Sequence, residues 1–314
     1  MGTQQQTRYN ALTMSHAPVV LFLADSLAVP SPIVLMLAGI FGAVVGSFLN
    51  VVIYRLPREQ SITTPRSHCP LCGRTIRAYD NIPIISYLVL RGRCRFCGRS
   101  ISAHYPVVEA LTSLLFVAAA WRDGLSLELP FDLVFVAALI ALAFIDAEHM
   151  LLPNAITYPG IALALIARIA LPHLGGASHF DDLASLQRSF VGNYPISLTS
   201  LAGAIIGSLA GGGSLWLMGW LWQKLRGVEA MGFGDVKMMS MVGAYLGWRL
   251  AVLTIFLGVL LGSFMGVTIM LWRSERDLQM RVPFGVFLSI GALASLFAGS
   301  RLVEWYLSRF LAHS

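Results

Sequence analysis

Long apolar stretches separated by short polar segments form the dominant pattern of this chain. A helix that crosses a bilayer needs about 20 largely apolar residues, and eight stretches are candidates. The eight predicted spans are 31–54, 105–121, 129–145, 152–171, 197–222, 236–248, 250–272 and 282–300. The sixth is the shortest and is also compatible with a helix that dips in and packs on its neighbours. The pattern therefore predicts an all-α polytopic membrane protein with about eight transmembrane helices.

The polar segments suggest a division of the chain into four parts. Residues 1–30 form an N-terminal extension that lacks the pattern of a secretory signal peptide, and residues 31–54 form the first transmembrane helix. Residues 55–104 form a small polar domain between the first two spans. Residues 105–314 hold the remaining spans.

Composition and charge support a membrane protein and suggest its orientation. Hydrophobic residues make up 56% of the chain and charged residues only 12%, against about 25% charged residues in a typical soluble domain. Of the 22 Lys and Arg residues, 15 fall in the loops after spans one, five and seven or, for Lys237, at the start of the sixth span. The positive-inside rule places these loops in the cytoplasm and both termini outside. The net charge of +6 therefore reflects topology, with membrane lipid rather than nucleic acid as the expected surroundings.

Four cysteines lie in two C-x-x-C pairs inside an internal repeat. Residues 68–78 read HCPLCGRTIRA, and residues 93–103, 25 positions later, read RCRFCGRSISA. A C-x-x-C turn directs two sulfurs at one centre, and four thiolates suit tetrahedral Zn²⁺. A cytoplasmic location argues against the alternative of two disulfides, and four unrelated thiols are a further alternative. We predict a zinc-ribbon-like insert whose structural zinc is held by Cys69, Cys72, Cys94 and Cys97.

Two aspartates lie where apolar spans meet the predicted cytoplasmic side. Asp146 ends the third span, and Asp235 follows Gly232 and Gly234 at the start of the sixth. Two carboxylates brought together can share a proton, so that one activates water while the other polarises a scissile carbonyl. Gly232 and Gly234 would let backbone or substrate come close to the carboxylate of Asp235. The residues alone leave two interpretations open: aspartic protease chemistry, or a helix N-cap at Asp235 with a solvated helix end at Asp146.

Other residues within or beside the spans also suggest specific contacts. Glu109 lies inside the second span and is either functional or neutralised by a neighbour. Asn50 in the first span is expected to form a helix–helix hydrogen bond. Lys237 contacts either lipid phosphate or substrate. A run of glycines in the fifth span predicts close helix packing: Gly203, Gly207, Gly211, Gly212 and Gly213.

The order and combination of these motifs resemble the type IV prepilin peptidases, also called prepilin leader peptidase/N-methyltransferases. The resemblance runs from about residue 39 to residue 296. It is carried by residues 46–57, both C-x-x-C pairs, residues 81–87, 90–94 and 105–109, Asp146 with residues 151–153, and residues 232–235. One departure is Asn154, because the family often has Asp after Leu-Leu-Pro.

The resemblance implies a multi-pass enzyme of the bacterial inner membrane whose active site faces the cytoplasm. It implies that Asp146 and Asp235 are the catalytic residues of a GxGD-type aspartic protease, with Gly232, Gly234 and Lys237 in the active-site loop. Such an enzyme cleaves the leader of prepilins and pseudopilins, and residues 105–314 would be its transmembrane aspartic peptidase domain.

The resemblance also implies a second activity and leaves two alternatives. Many members methylate the new N-terminal amine with S-adenosylmethionine as donor, and the cysteine-bearing domain is associated with that activity. We take Asn81 and Glu109 as candidate residues for methyl transfer. One alternative is a peptidase without methyl transfer, and the other is a non-catalytic membrane assembly factor or transporter with a zinc ribbon.

Overall fold

The computed structural model describes residues 30–69, 71–174, 196–227, 232–273 and 283–310. The predicted N-terminal extension therefore lies, except for Pro30, outside the described residues. Within the described residues all regular secondary structure is helical, apart from two isolated β-bridges. Ten α-helices follow one another in these ranges: α1 (Pro32–Arg55), α2 (Ile85–Val89), α3 (His104–Asp123), α4 (Leu129–His149), α5 (Asn154–Ala170), α6 (Ile196–Ser208), α7 (Ser214–Arg226), α8 (Phe233–Leu246), α9 (Trp248–Arg273) and α10 (Phe284–Phe310).

In the part of the chain that the structure describes, six helical segments are long and apolar enough to cross a membrane, and the chain is a multi-pass membrane protein. They correspond to predicted spans one, two, three, five, seven and eight. The fifth is Leu198–Arg226, in which a π-helical turn, Leu209–Gly213, joins α6 to α7. The fourth and sixth predicted spans coincide with α5 and α8, which have 17 and 14 residues. A helix rises about 1.5 Å per residue, so eight complete crossings stay a prediction.

Helix α8 is short and lies at the centre of the bundle. It packs against α5, α6, α7, α9 and α10, and its residues Met238, Met239, Met241 and Val242 have no exposed surface. An apolar helix that is buried all round is typical of the core of a bundle.

The glycine-rich segment packs closely, as its sequence predicted. A Cβ atom on Gly207 would lie 2.0 Å from the carbonyl oxygen of Gly243 in α8. A Cβ atom on Gly211 would lie 2.4 Å from the carbonyl oxygen of Met239. The missing side chains therefore let the backbones of two helices approach each other directly.

One end of the bundle gathers the cysteine-bearing domain and both aspartates. Nη1 of Arg58, just beyond α1, lies 3.4 Å from Nε2 of His149 at the end of α4. Nε2 of His104, the first residue of α3, lies 3.2 Å from Oε1 of Glu148 without the geometry of a hydrogen bond. The domain and the carboxyl end of α4 therefore share one face, as the sequence predicted.

The opposite end is tied together by buried polar contacts. Asp132 near the start of α4 accepts a hydrogen bond of 2.7 Å from the Tyr245 hydroxyl and one of 2.9 Å from Arg122. Arg168 of α5 donates to the backbone carbonyls of Ala244 and Tyr245 at the end of α8. These bonds satisfy buried polar groups and anchor the short helix α8 at its far end.

Candidate functional site

The structure brings Asp146 and Asp235 together. Asp146 lies near the carboxyl end of α4, and Asp235 is the third residue of α8. Their exposed fractions are 5% and 9%, and their charges interact. Asp146 is therefore no solvated helix end. Nor is Asp235 the N-cap of α8, because that position belongs to Gly232.

The amino-terminal turn of α10 holds the carboxylate of Asp146. The backbone N–H of Val286 donates a hydrogen bond of 3.1 Å to Oδ2 of Asp146, and the N–H of Gly285 also interacts with this carboxylate. A Cβ atom on Gly285 would lie only 2.9 Å from the same oxygen. Sequence reasoning missed both residues. The available signal was Pro283-Phe284-Gly285 at the start of the last span, where Pro often begins a helix.

Leu152 fills the space between the two aspartate-bearing segments and α10. A Cβ atom on Gly234 would lie 3.0 Å from Cβ of Leu152, and one on Gly285 would lie 3.2 Å from its Cδ1. The sequence predicted that these glycines allow a close approach, and the structure shows which groups approach. Gly234 admits Leu152, whereas a Cβ atom on Gly232 would lie 3.7 Å from Oδ2 of Asp235.

Lys237 lies one helical half-turn beyond Asp235 and contacts protein groups. Its Nζ donates a hydrogen bond of 2.8 Å to Oδ1 of Asn154. The same Nζ lies 5.3 Å from the ring centre of Tyr158 and 4.9 Å from that of Phe233. Asn154, where the sequence departs from the family pattern, is therefore the hydrogen-bond partner of a predicted active-site residue.

The two C-x-x-C pairs form matching turns. The N–H of Cys69 donates to the carbonyl of Arg74, and the N–H of Gly73 donates to the carbonyl of Cys69. Cys94, Arg99 and Gly98 repeat these bonds 25 residues later. Gly73 and Gly98 both have φ of 68°, the left-handed region in which glycine is strained least. The internal repeat is therefore a structural repeat.

The four cysteine sulfurs converge. They lie within 4.8 Å of one another, close to the separation of about 3.8 Å expected when four sulfurs surround zinc at about 2.3 Å. Backbone N–H groups of Cys97 and Phe96 lower the pKa of the Cys94 thiol to about 7, whereas burial and the neighbouring thiols raise the pKa of Cys97 to about 11. This cluster fits a four-coordinate metal and, with all four positions taken by protein, suits a structural ion.

Glu109 and Asn81, the two candidates for methyl transfer, line one cavity between α1, α3 and the cysteine-bearing domain. Oε2 of Glu109 accepts a hydrogen bond of 2.7 Å from the backbone N–H of Ile84. The neighbouring Asn50 donates a bond of 3.0 Å to the carbonyl of Tyr105. This bond joins α1 to α3 and confirms the helix–helix hydrogen bond predicted for Asn50.

Comparisons with known proteins cover most of the chain. Residues 40–123 match the model of the bacterial peptidase A24 N-terminal domain. Residues 133–267 match the model of the type IV leader peptidase family. These two segments contain most of α1, the cysteine-bearing domain, both aspartates and most of the helical bundle.

Curated relatives are similar over nearly their whole length. A prepilin leader peptidase/N-methyltransferase of Aeromonas hydrophila is 36% identical over 87% of this chain and 93% of its own. A protein of the same name from Pseudomonas aeruginosa is 36% identical over 85% of this chain and 91% of its own. Another, from Legionella pneumophila, is 32% identical over 88% of this chain and 95% of its own. No solved structure matches the chain significantly.

Proposed function

Since the chain belongs to the type IV leader peptidase family, we propose that it cleaves the leader of prepilins and pseudopilins and then methylates the new N-terminus. The observation that carries the proposed peptidase mechanism is the pair of buried carboxylates, Asp146 and Asp235, at the end of the bundle that also bears the cysteine domain. A prepilin has an apolar helix behind its leader, so an enzyme with spanning helices can hold that helix beside its own.

The two carboxylates take different parts in hydrolysis. The N–H groups of α10 face Asp146, and N–H donors at a helix amino terminus stabilise a carboxylate anion. Asp146 is therefore assigned as the base that takes a proton from water. Asp235, in its protonated form, donates a hydrogen bond to the scissile carbonyl and stabilises the developing oxyanion. Gly232, Gly234 and Lys237 form the loop and helix start that shape the approach to this pair.

Methyl transfer is assigned to the cysteine-bearing domain and its boundary with α1 and α3. The acceptor amine loses a proton to water, its lone pair forms the N–C bond to the methyl carbon, and the S–C bond of S-adenosylmethionine breaks to release S-adenosylhomocysteine. Asn81 and Glu109 are the candidate residues. The cysteines Cys69, Cys72, Cys94 and Cys97 would hold a structural Zn²⁺ that fixes this domain.

We place the protein in the bacterial inner membrane with this end of the bundle in the cytoplasm. The support is the concentration of Lys and Arg in the loops at that end and the positive-inside rule. We also propose that the chain has four parts: an N-terminal extension (1–30), the first transmembrane helix (31–54), the cysteine-bearing domain (55–104) and the transmembrane peptidase domain (105–314). A leader on the cytoplasmic side then meets the carboxylates where water is available.

The test is an intact-mass measurement on a prepilin incubated with the purified protein and S-adenosylmethionine. We expect loss of the leader plus one methyl group. Asp146→Asn and Asp235→Asn should each abolish cleavage, by about 10⁴-fold or more for a residue that takes part directly. Glu148→Gln is the matched control, because Glu148 lies two residues from Asp146 but its side chain is 41% exposed.

The outcomes separate the proposal from its alternatives. Normal cleavage by either aspartate variant would contradict the aspartic mechanism. Cleavage by the wild-type protein without the methyl shift would leave a peptidase alone. Absence of any mass change, with membrane insertion and bound zinc confirmed, would favour a non-catalytic assembly factor.

A further inference from the structure

The short helix α2 of the cysteine-bearing domain turns an apolar face outwards. Its residues Ile85, Leu88 and Val89 are 58%, 68% and 70% exposed. Their i, i+3, i+4 spacing places the three side chains on one face of the helix. Ser86 and Tyr87, the polar residues between them, are half-buried. The helix is therefore amphipathic in the sense opposite to that of a soluble domain, whose helices turn their apolar face to the core.

The polar face of α2 is held by hydrogen bonds within the domain. The Ser86 hydroxyl donates a bond of 3.0 Å to the carbonyl of Tyr79 and accepts one of 3.1 Å from the N–H of Ile82. The Tyr87 hydroxyl donates a bond of 3.4 Å to the carbonyl of Ile101. These bonds fix the rotation of the helix, and the apolar face points outwards as a result.

The start of α2 lies beside the membrane-spanning part of α3. The N–H of Ile84 donates a bond of 2.7 Å to Oε2 of Glu109, which is five residues, or about 7 Å, beyond the first residue of α3. Glu109 also contacts α1, because a Cβ atom on Gly46 would lie 2.7 Å from its Cα. Gly46 is nine residues, or about 13 Å, short of Arg55 at the end of α1. Helix α2 therefore begins alongside the two spanning helices and not beyond their ends.

A strained turn directs the chain to this position. Ile84 has φ of 62°, in the left-handed region that a β-branched residue rarely adopts. Such a conformation persists only where the surroundings hold it. The bond from Ile84 to Glu109 holds it here, so the attachment of α2 to α3 is part of the fold.

The surroundings of α2 are those of a membrane interface. At the same level, Phe48 of α1 and Val107 of α3 are 50% and 51% exposed, as expected for spanning helices that face lipid. Directly after α2, Arg91 and Arg93 are exposed. An apolar helix face beside exposed arginines is typical of a segment that lies in the plane of a leaflet, with its cations near the lipid phosphates.

We propose that the apolar face of α2, formed by Ile85, Leu88 and Val89, inserts into the membrane leaflet on the side of the cysteine-bearing domain and contacts phospholipid acyl chains. The domain is then attached to the bilayer by α2 as well as by its links to α1 and α3, which fixes its orientation on the membrane surface. This inference needs only the spanning helices and does not depend on the proposed peptidase and methyl transfer activities.

The test is photo-cross-linking of the full-length, zinc-retaining protein in nanodiscs that contain a phosphatidylcholine with a diazirine in the upper half of one acyl chain. After irradiation and trypsin digestion, mass spectrometry compares two peptides of the same domain. Residues 78–91 contain α2 and should carry lipid. Residues 59–66 contain Ile62, an exposed apolar residue in a polar loop beyond α1, and should carry at least about tenfold less.

Leu88→Glu measures whether the apolar face causes the contact. A carboxylate opposes insertion into acyl chains, so the labelling of residues 78–91 should fall about tenfold or more. Ile62→Glu is the matched control, because it makes the same kind of change at another exposed apolar residue of the domain; it should leave this labelling at the wild-type level. The melting temperature of each variant in nanodiscs reports whether it is folded.

The outcomes decide between lipid and a protein partner. Labelling of residues 78–91 no stronger than that of residues 59–66, or labelling that Leu88→Glu leaves unchanged, would overturn the lipid contact. Mass photometry in detergent tests a second copy of the chain. A wild-type dimer that Leu88→Glu converts to a monomer, with residues 78–91 unlabelled, would assign the apolar face to that second copy instead.

Discussion

The backbone N–H of Val286 donates a hydrogen bond of 3.1 Å to Oδ2 of Asp146, although 140 positions separate the two residues in the chain. The bond makes the start of α10 a third component of the carboxylate site, beside the end of α4 and the start of α8. Asp146 is thereby fixed by backbone groups, whose positions depend on the whole helix rather than on one flexible side chain. The orientation of this carboxylate is therefore sensitive to the packing of α10.

Replacing Gly285 with Ala should disturb this arrangement directly. The added Cβ atom would lie 2.9 Å from Oδ2 and 3.1 Å from Cγ of Asp146, so the carboxylate or the helix must move. A displacement of about 1 Å at a reacting group can cost about 100-fold in rate. We expect a loss of that order in the rate of leader cleavage, measured by mass spectrometry of a prepilin substrate.

Gly266→Ala provides the control for Gly285→Ala. Gly266 lies in α9, and a Cβ atom there would meet no atom within 4 Å. We expect cleavage at the wild-type rate, with the small gain in helix stability of about 1 kcal/mol that accompanies Gly to Ala in a helix. Equal cleavage by the Gly285 and Gly266 variants would show that the start of α10 does not position Asp146.

The difference between the cysteine turns and the α10 contact shows which features the sequence makes predictable. The two C-x-x-C turns repeat with the same spacing and the same hydrogen bonds, because each turn is built from neighbouring residues. The contact of Val286 with Asp146 depends on the path of the chain through α5–α9, and no local pattern encodes it. The packing role of Leu152 and the contact of Gly285 with Asp146 were not predicted for the same reason.

Helix lengths show a second limit of pattern reading. Six of the eight predicted spans coincide with helices long enough to cross a membrane, whereas α5 and α8 have 17 and 14 residues. Hydropathy detects an apolar segment but does not distinguish a segment that faces lipid from one surrounded by protein. Met238, Met239 and Met241, which have no exposed surface, place α8 in the second class.

Asn154 and Lys237 provide a test of the departure from the family pattern. Asn154→Asp would turn a hydrogen bond of 2.8 Å into an ion pair worth about 0.2–1 kcal/mol, so cleavage should change by no more than about fivefold. Asn154→Leu removes the acceptor and frees Lys237, which should slow cleavage by about fivefold, as expected for one lost hydrogen bond of about 1 kcal/mol. Initial cleavage rates measure both. A Leu variant as active as the wild type would show that Asn154 does not position Lys237.

The crossing of α6 and α8 should tolerate no side chain at Gly207. Its Cβ atom would lie 2.0 Å from the carbonyl oxygen of Gly243, and overpacking of this kind costs about 1–3 kcal/mol. We expect Gly207→Ala to lower the melting temperature in detergent by several degrees. In α7, where a Cβ atom on Gly219 meets nothing within 4 Å, the same substitution should not lower the melting temperature. Identical melting of both variants would contradict the close backbone contact.

Removal of the metal should separate the two proposed activities. The cysteine-bearing domain forms one side of the cavity lined by Asn81 and Glu109, the candidate residues for methyl transfer, whereas Asp146 and Asp235 are held by α4, α8 and α10. Because a structural zinc contributes folding free energy to a small domain, chelation should loosen the domain without dissolving the helical bundle. We therefore expect methylation of a pre-cleaved pilin to fall by at least about tenfold, while leader cleavage retains at least about half of its rate.

Cys69→Ser should reproduce this pattern without chelator, and added zinc should restore methylation to the chelated wild type but not to the variant. Full methylation by a preparation shown by elemental analysis to be free of metal would exclude a structural role for zinc in the second reaction.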